Sequence, residues 1–84
     1  MIDADPAMGT FAVTFTVTDG TNPIENARVR LGGMNQRTDS AGQVIFKVQE
    51  NSTMNYLVRV EDRSSVKGKV EVTNTAATVN VIMN

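Results

Sequence analysis

The side chains of this chain that could do chemistry are carboxylates, hydroxyls and long cations, because histidine and cysteine are both absent. Without histidine it lacks the commonest general base and the commonest metal ligand. Without cysteine, a thiolate metal site and a disulfide framework are closed to it. Asp3 and Asp5 lie near the start, Asp19 and Asp39 open dense turn clusters, and Asp62 follows a strand-like run. An aspartate that opens a turn commonly accepts hydrogen bonds from its own backbone. Asp39-Ser40-Ala41-Gly42 has the outline of a calcium loop, but the acids at alternate positions and the closing glutamate are missing. Turn roles are expected for Asp19 and Asp39, and no metal site.

Ser40, Ser52, Ser64 and Ser65 have no histidine to activate them. A serine–lysine pair needs a lysine desolvated beside the hydroxyl, and Lys47, Lys67 and Lys69 all fall on outward positions. No catalytic residue and no cofactor is expected. Arg28, Arg30, Lys47, Arg59, Lys67 and Lys69 point outward from several strand-like runs. They either converge into a basic patch or simply keep a sheet face wet and soluble, and the second reading is preferred. Carbohydrate-binding sandwiches stack sugar rings on exposed aromatics, but Phe11, Phe15 and Phe46 fall on inward positions. Tyr56 is expected inward as well, its hydroxyl reaching a rim partner. Asn51-Ser52-Thr53 is a glycosylation acceptor sequence in an expected loop, meaningful only in a eukaryotic secretory pathway.

The elements that position these groups are strands. Valine and threonine are abundant while leucine occurs only at Leu31 and Leu57, and β-branched residues favour pleated surfaces. Thr10 to Thr18 alternates cleanly, with Phe11, Val13, Phe15 and Val17 on one side. A one-residue slip would expose all four, so its register is set. Asp19 to Pro23 is turn chemistry. Asn22-Pro23-Ile24-Glu25 also has a helix-start pattern, but no 3.6-residue period follows it. Ala27, Val29 and Leu31 alternate with Arg28 and Arg30. Gly32 to Asn35 breaks that strand, and Gln36 to Thr38 forms at most a short edge strand. After the Asp39–Gly42 turn, Gln43 to Val48 places Val44, Phe46 and Val48 inward, with Ile45 covering part of the other face. Glu50 to Asn55 reads as a polar loop. Tyr56 to Glu61, Val66 to Val72 and Val79 to Met83 alternate again.

Eighty-four residues make one domain with one thin core. Residues 1–9, without periodicity, read as a flexible leader or linker, and 10–84 as a single β-sandwich domain. A net charge of -1 with interspersed signs excludes the basic excess of a nucleic-acid footprint. No apolar run approaches the roughly 18 residues of a membrane span, and direct membrane insertion is not expected. Short strands at regular intervals argue for two packed layers, each with one dry and one wet face.

The order of signals resembles a known family. DG is followed by P-I-x-x-A-x-V-x-L at Pro23, Ile24, Ala27, Val29 and Leu31. Then come T-D-x-x-G-x-x-x-F at Thr38, Asp39, Gly42 and Phe46, and Y-x-V-x-V at Tyr56, Val58 and Val60. Over Thr10 to Met83 this resembles the carboxypeptidase regulatory-like domains, which share a transthyretin-like (prealbumin-like) sandwich. The resemblance implies an all-β fold, a seven-stranded antiparallel Greek-key β-sandwich. It also implies a non-catalytic accessory module beside other domains of a secreted, periplasmic or cell-surface protein, often bacterial. In bacterial outer-membrane receptors that import glycans, a similar domain lies at the N-terminus. Bacterial Ig-like adhesin repeats share the turn pattern around Pro23 and Gly42. Collagen-adhesin B-type repeats are also similar, but the reactive lysine of their first strand has no counterpart here. Asn80 or Asn84 alone would not form an isopeptide bond.

The partners implied are neighbouring domains of a longer chain. The alternative is a glycan- or protein-binding module that makes contact through its outward faces or the loops Gly32 to Gln36 and Glu50 to Asn55.

Overall fold

The computed structural model describes residues 10–61 and 63–83. The expected leader at 1–9, Asp62 and Asn84 lie outside the described residues. Seven strands follow in order: β1 (Thr10–Thr18), β2 (Arg28–Leu31), β3 (Met34–Arg37), β4 (Gln43–Gln49), β5 (Ser52–Arg59), β6 (Val66–Val72) and β7 (Ala77–Ile82). They form a three-stranded sheet, β4-β1-β7, and a four-stranded sheet, β3-β2-β5-β6. The chain is all-β and sandwich-like, and none of its described residues is helical. The helix-start pattern at Asn22–Glu25 lies in a turn instead, with Pro23 bridged to Thr18 and Asn26 at φ 68°.

One expectation fails. The sandwich is not antiparallel throughout, because β1 pairs with β7 in parallel, from Val13 opposite Ala77 to Thr18 opposite Ile82. Alternation along a strand decides which residues face inward but carries nothing about the direction of the neighbour. Two strands at opposite ends of a sequence have no hairpin to force them antiparallel. β1 with β4, β2 with β3 and β5, and β5 with β6 are antiparallel.

Two boundaries also move. Ser52 to Asn55, expected as loop, is the first half of β5 because its residues ladder with β6, from Ser52 opposite Val72 to Asn55 opposite Lys69. The marginal edge strand begins at Met34, because the two-residue Gly32-Gly33 turn sets Leu31 opposite Met34. Gly32 has a φ of 58° at the first turn position, as in a type II′ hairpin.

The dry faces meet in a core whose largest fully buried side chains are Phe15, Phe46, Leu31 and Met83, surrounded by valines from both sheets. Phe15 and Phe46 contact edge to face with centroids 5.7 Å apart. Burying each such side chain contributes roughly 1.5–3 kcal/mol, so the interior alone explains the inward alternation. Phe15 also meets Tyr56 edge to face at 5.2 Å. The Tyr56 ring lies over its cross-strand partner Gly68, where an added Cβ would stand 2.6 Å from the phenolic oxygen.

Two crossings between the sheets are locked by hydrogen bonds. The buried Thr38 hydroxyl accepts from the Ala27 N–H at 2.9 Å and donates to the Ile24 carbonyl at 2.7 Å. Gly42, at φ 75°, allows the Val17 N–H to reach its carbonyl at 2.7 Å. A Cβ on Gly42 would lie 2.5 Å from the Val17 carbonyl oxygen. At the open edge, the Gln36 side-chain amide donates to the Ile45 carbonyl at 3.1 Å, tying β3 of one sheet to β4 of the other.

Candidate functional site

Because side chains alternate along a strand, fixing the inner face fixes the outer one. The outer face of the four-stranded sheet takes Arg28 and Arg30 from β2, Asn35 and Arg37 from β3, Thr53, Asn55, Leu57 and Arg59 from β5, and Lys67, Lys69 and Glu71 from β6. Register then arranges them in rows. Arg28 stands opposite Arg37 on one side and Arg59 on the other. In the next row, Arg30 lies between Asn35 and Leu57, and Leu57 in turn faces Lys67. Asn55 pairs with Lys69, and Thr53 with Glu71. Neighbours in a row sit about 4.5–5.5 Å apart at Cβ, and successive rows are about 7 Å apart along the strands.

Six of the eight lysines and arginines therefore share one sheet face, and all six are exposed. Among the described residues, none of the six has a carboxylate within ion-pair reach. Glu71 lies at the corner remote from the arginine row, and Glu61 lies just past the end of β5. Like charges directly opposite one another in a ladder are destabilising. The Arg37–Arg28–Arg59 row carries that cost twice over, with no apolar burial to offset it.

Two hollows mark this surface. A shallow groove of about 870 Å³ runs over β5 and β6, where Arg30, Lys67 and Lys69 are interleaved with Thr53 and Asn55 and with the less polar Met54, Tyr56 and Leu57. A smaller hollow of about 370 Å³ sits over the arginine row, lined by Arg28, Arg37, Arg59, Asn26, Val60 and Glu61. Chemically, the arrangement offers fixed positive charge with neutral hydrogen-bonding groups between the cations, the pattern of an anion-binding surface. Arginine is suited to planar, bidentate recognition of carboxylate-like groups.

Of the cations singled out in sequence, Arg28, Arg30, Arg59, Lys67 and Lys69 converge. Lys47 does not, because β4 belongs to the other sheet, where it stands opposite Ala12. Arg37 joins them and sequence reading missed it. Its signal was the two-glycine turn after Arg28-Val29-Arg30-Leu31, which folds the next four residues back and sets Arg37 opposite Arg28. The loops expected to make contact are largely strand, yet Gly32, Thr53 and Asn55 from those stretches line the larger groove.

Of the remaining candidates, Asp3, Asp5 and Asp62 lie outside the described residues, and Asp19, Asp39, Ser52 and Asn51 are engaged in turns and ladders. Asp19 Oδ1 accepts from the Thr21 and Asn22 N–H groups at 2.9 and 2.8 Å. These backbone bonds, Asn22 first, hold its carboxyl below the usual carboxylate range, with a smaller contribution from Arg63. Asp39 Oδ1 accepts from Ala41 and Gln43 at 2.9 and 3.0 Å. Ser52 is the one serine in a ladder, opposite Val72. Asn51 turns the corner between the sheets at φ 56° and donates its N–H to the Thr73 carbonyl at 3.0 Å. The outer face of the three-stranded sheet is the opposite in character. Threonines of β1 run along it, and Ile45 and Ile82 are 54% and 60% exposed. Compared with known protein families and curated proteins, the sequence matches no family model and no curated protein.

Proposed function

We propose that this chain is a non-catalytic accessory module of a larger secreted, periplasmic or cell-surface protein, acting as a spacer or docking domain. In this reading it is a carboxypeptidase regulatory-like domain with a transthyretin-like, Greek-key sandwich. One observation carries it: the residues behind the resemblance all do scaffold work. Thr38 ties the β1–β2 connection to the end of β3, Asp39 and Gly42 shape the reversal into β4, and Ala27 and Phe46 are buried in the core. Pro23 and Asp39 are exposed, and the Asp39 carboxylate is taken up by its own turn; a motif used for turns and packing suits a brace better than an enzyme. Neighbouring domains of the parent chain are the partners of this reading. Excising residues 10–83 from the parent protein tests it. The neighbouring domain should lose thermal stability or activity, and an unchanged neighbour would sink the bracing role.

A second reading, a binding module for a protein or glycan, is favoured by a different observation. Six cations gather on one face with, among the described residues, no carboxylate in ion-pair reach, a like-charge cost that a spacer does not require. In that reading the ligand meets the sheet face itself, with Thr53 and Asn55 beside the cations.

A further inference from the structure

We propose that the outer face of β3-β2-β5-β6 binds a linear acidic polysaccharide, one bearing carboxylate or sulfate groups between hydroxyls. The inference does not depend on the spacer reading, since a brace could carry such a face or lack it.

The chemistry of the face selects the ligand by elimination. Fixed charge comes first: Arg28, Arg37 and Arg59 in one row and Arg30, Lys67 and Lys69 beyond it demand a polyanion. The face measures roughly 15–20 Å in each direction, or about 225–400 Å². A stable contact with a folded protein needs about 800 Å² on each side, so a slim chain fits and a globular acidic partner does not. Nucleic acid bound as a single strand relies on aromatic platforms for its bases. Phe15 and Phe46 are buried, and the half-buried Tyr56, although it contributes to the groove lining, packs its ring against Phe15 and Gly68 and leaves no free platform. An acidic peptide would take affinity from adding a strand, which it can do only along the β3 or β6 edge and not across the cationic face, where β2 and β5 are paired on both sides. What remains is a hydroxyl-bearing polyanion. Thr53 and Asn55 in the groove, and Asn35 beside Arg30, supply neutral donors and acceptors at the spacing of the charges.

The test is isothermal titration of the whole chain at low and moderate salt. Probes are heparin, polygalacturonate, neutral dextran, polyglutamate, oligothymidylate and vesicles of anionic phospholipid. Binding of heparin or polygalacturonate that weakens with salt is expected, with dextran inert; the two probes separate sulfate from carboxylate preference. Replacing Arg28→Gln and Arg59→Gln together should weaken binding at least about tenfold, since each removes a charge-assisted hydrogen bond. Lys47→Gln, on the opposite sheet, should leave it unchanged. Thermal melts of both variants separate lost binding from lost fold. Tighter binding of polyglutamate, oligothymidylate or vesicles than of either polysaccharide would overturn the proposal. So would an equal effect of Lys47→Gln, or no binding to any polyanion at low salt.

Discussion

The two outer faces of the sandwich cover the same interior yet differ almost completely in character. On the three-stranded sheet, Thr14, Thr16, Thr18 and Thr78 share the surface with Ile45 and Ile82, and Lys47 is the one cation on its strands. On the four-stranded sheet, six cations stand in register with one acid at a corner. Inward positions answer to the core and are nearly interchangeable between sheets, valine after valine. Outward positions are free of that demand, so a systematic difference between them reports something other than folding. Solubility alone would have mixed the signs. Charge sorted by sheet, with like charges paired across strands, is a surface under a separate constraint.

The first way to break this comparison is to attack what the faces share. Phe46→Ala should destabilise the protein by about 3–5 kcal/mol in urea denaturation, with both sheets lost in one transition. A sheet surviving alone would mean that the faces do not rest on a common interior. Next, Gly68→Ala acts on the cationic sheet alone by driving a Cβ into the Tyr56 ring, and should cost about 1–3 kcal/mol. Gly33→Ala is its control: nothing lies within 4 Å of an added Cβ there, and a change within about 0.5 kcal/mol is expected.

A smaller effect addresses the charge directly. Arg28→Thr relieves two like-charge pairs and should raise stability by about 0.2–1 kcal/mol at low salt, a gain that shrinks as salt screens the face. Lys47→Thr should change nothing measurable. If Arg28→Thr instead destabilises the fold, the arginine row supports the sheet and the contrast between faces loses its meaning. The smallest effect lies on neither face. Asp19 is held below its ordinary range of about 3.8 by backbone donors. Its contribution is therefore complete above the unfolded-state value and fades as pH falls through the lower folded one. Asp19→Asn should therefore lower stability slightly near neutral pH, converge with the wild type at acid pH, and flatten that part of an acid titration followed by circular dichroism.

Much of the fold could be read from sequence because alternation is a local signal. Val13, Phe15, Val17, Val29, Leu31, Phe46 and Val58 are buried where their spacing puts them. Partnership is not local. Nothing in Ala77–Ile82 says that it lies beside β1 or runs in its direction, and the polar Ser52–Asn55 segment becomes strand only because β6 is there to pair with it. The cationic face shows both sides of this. Arg28, Arg30 and Arg59 could be recognised as outward, but which sheet would hold an outward cation depended on strand pairing, and so Lys47 was grouped with them. Arg37 was overlooked because a four-residue edge strand carries too few residues to declare a period.

The parallel ladder between β1 and β7 has a mechanical consequence. Because Thr10 begins β1 at one pole and Ile82 ends β7 beside Thr18 at the other, the strands enter and leave at opposite poles of the module. Tension applied through flanking segments would run along both strands and load their bridging hydrogen bonds side by side, in shear. Such a geometry must break many bonds at once before it yields, whereas a hairpin pulled open gives way one rung at a time.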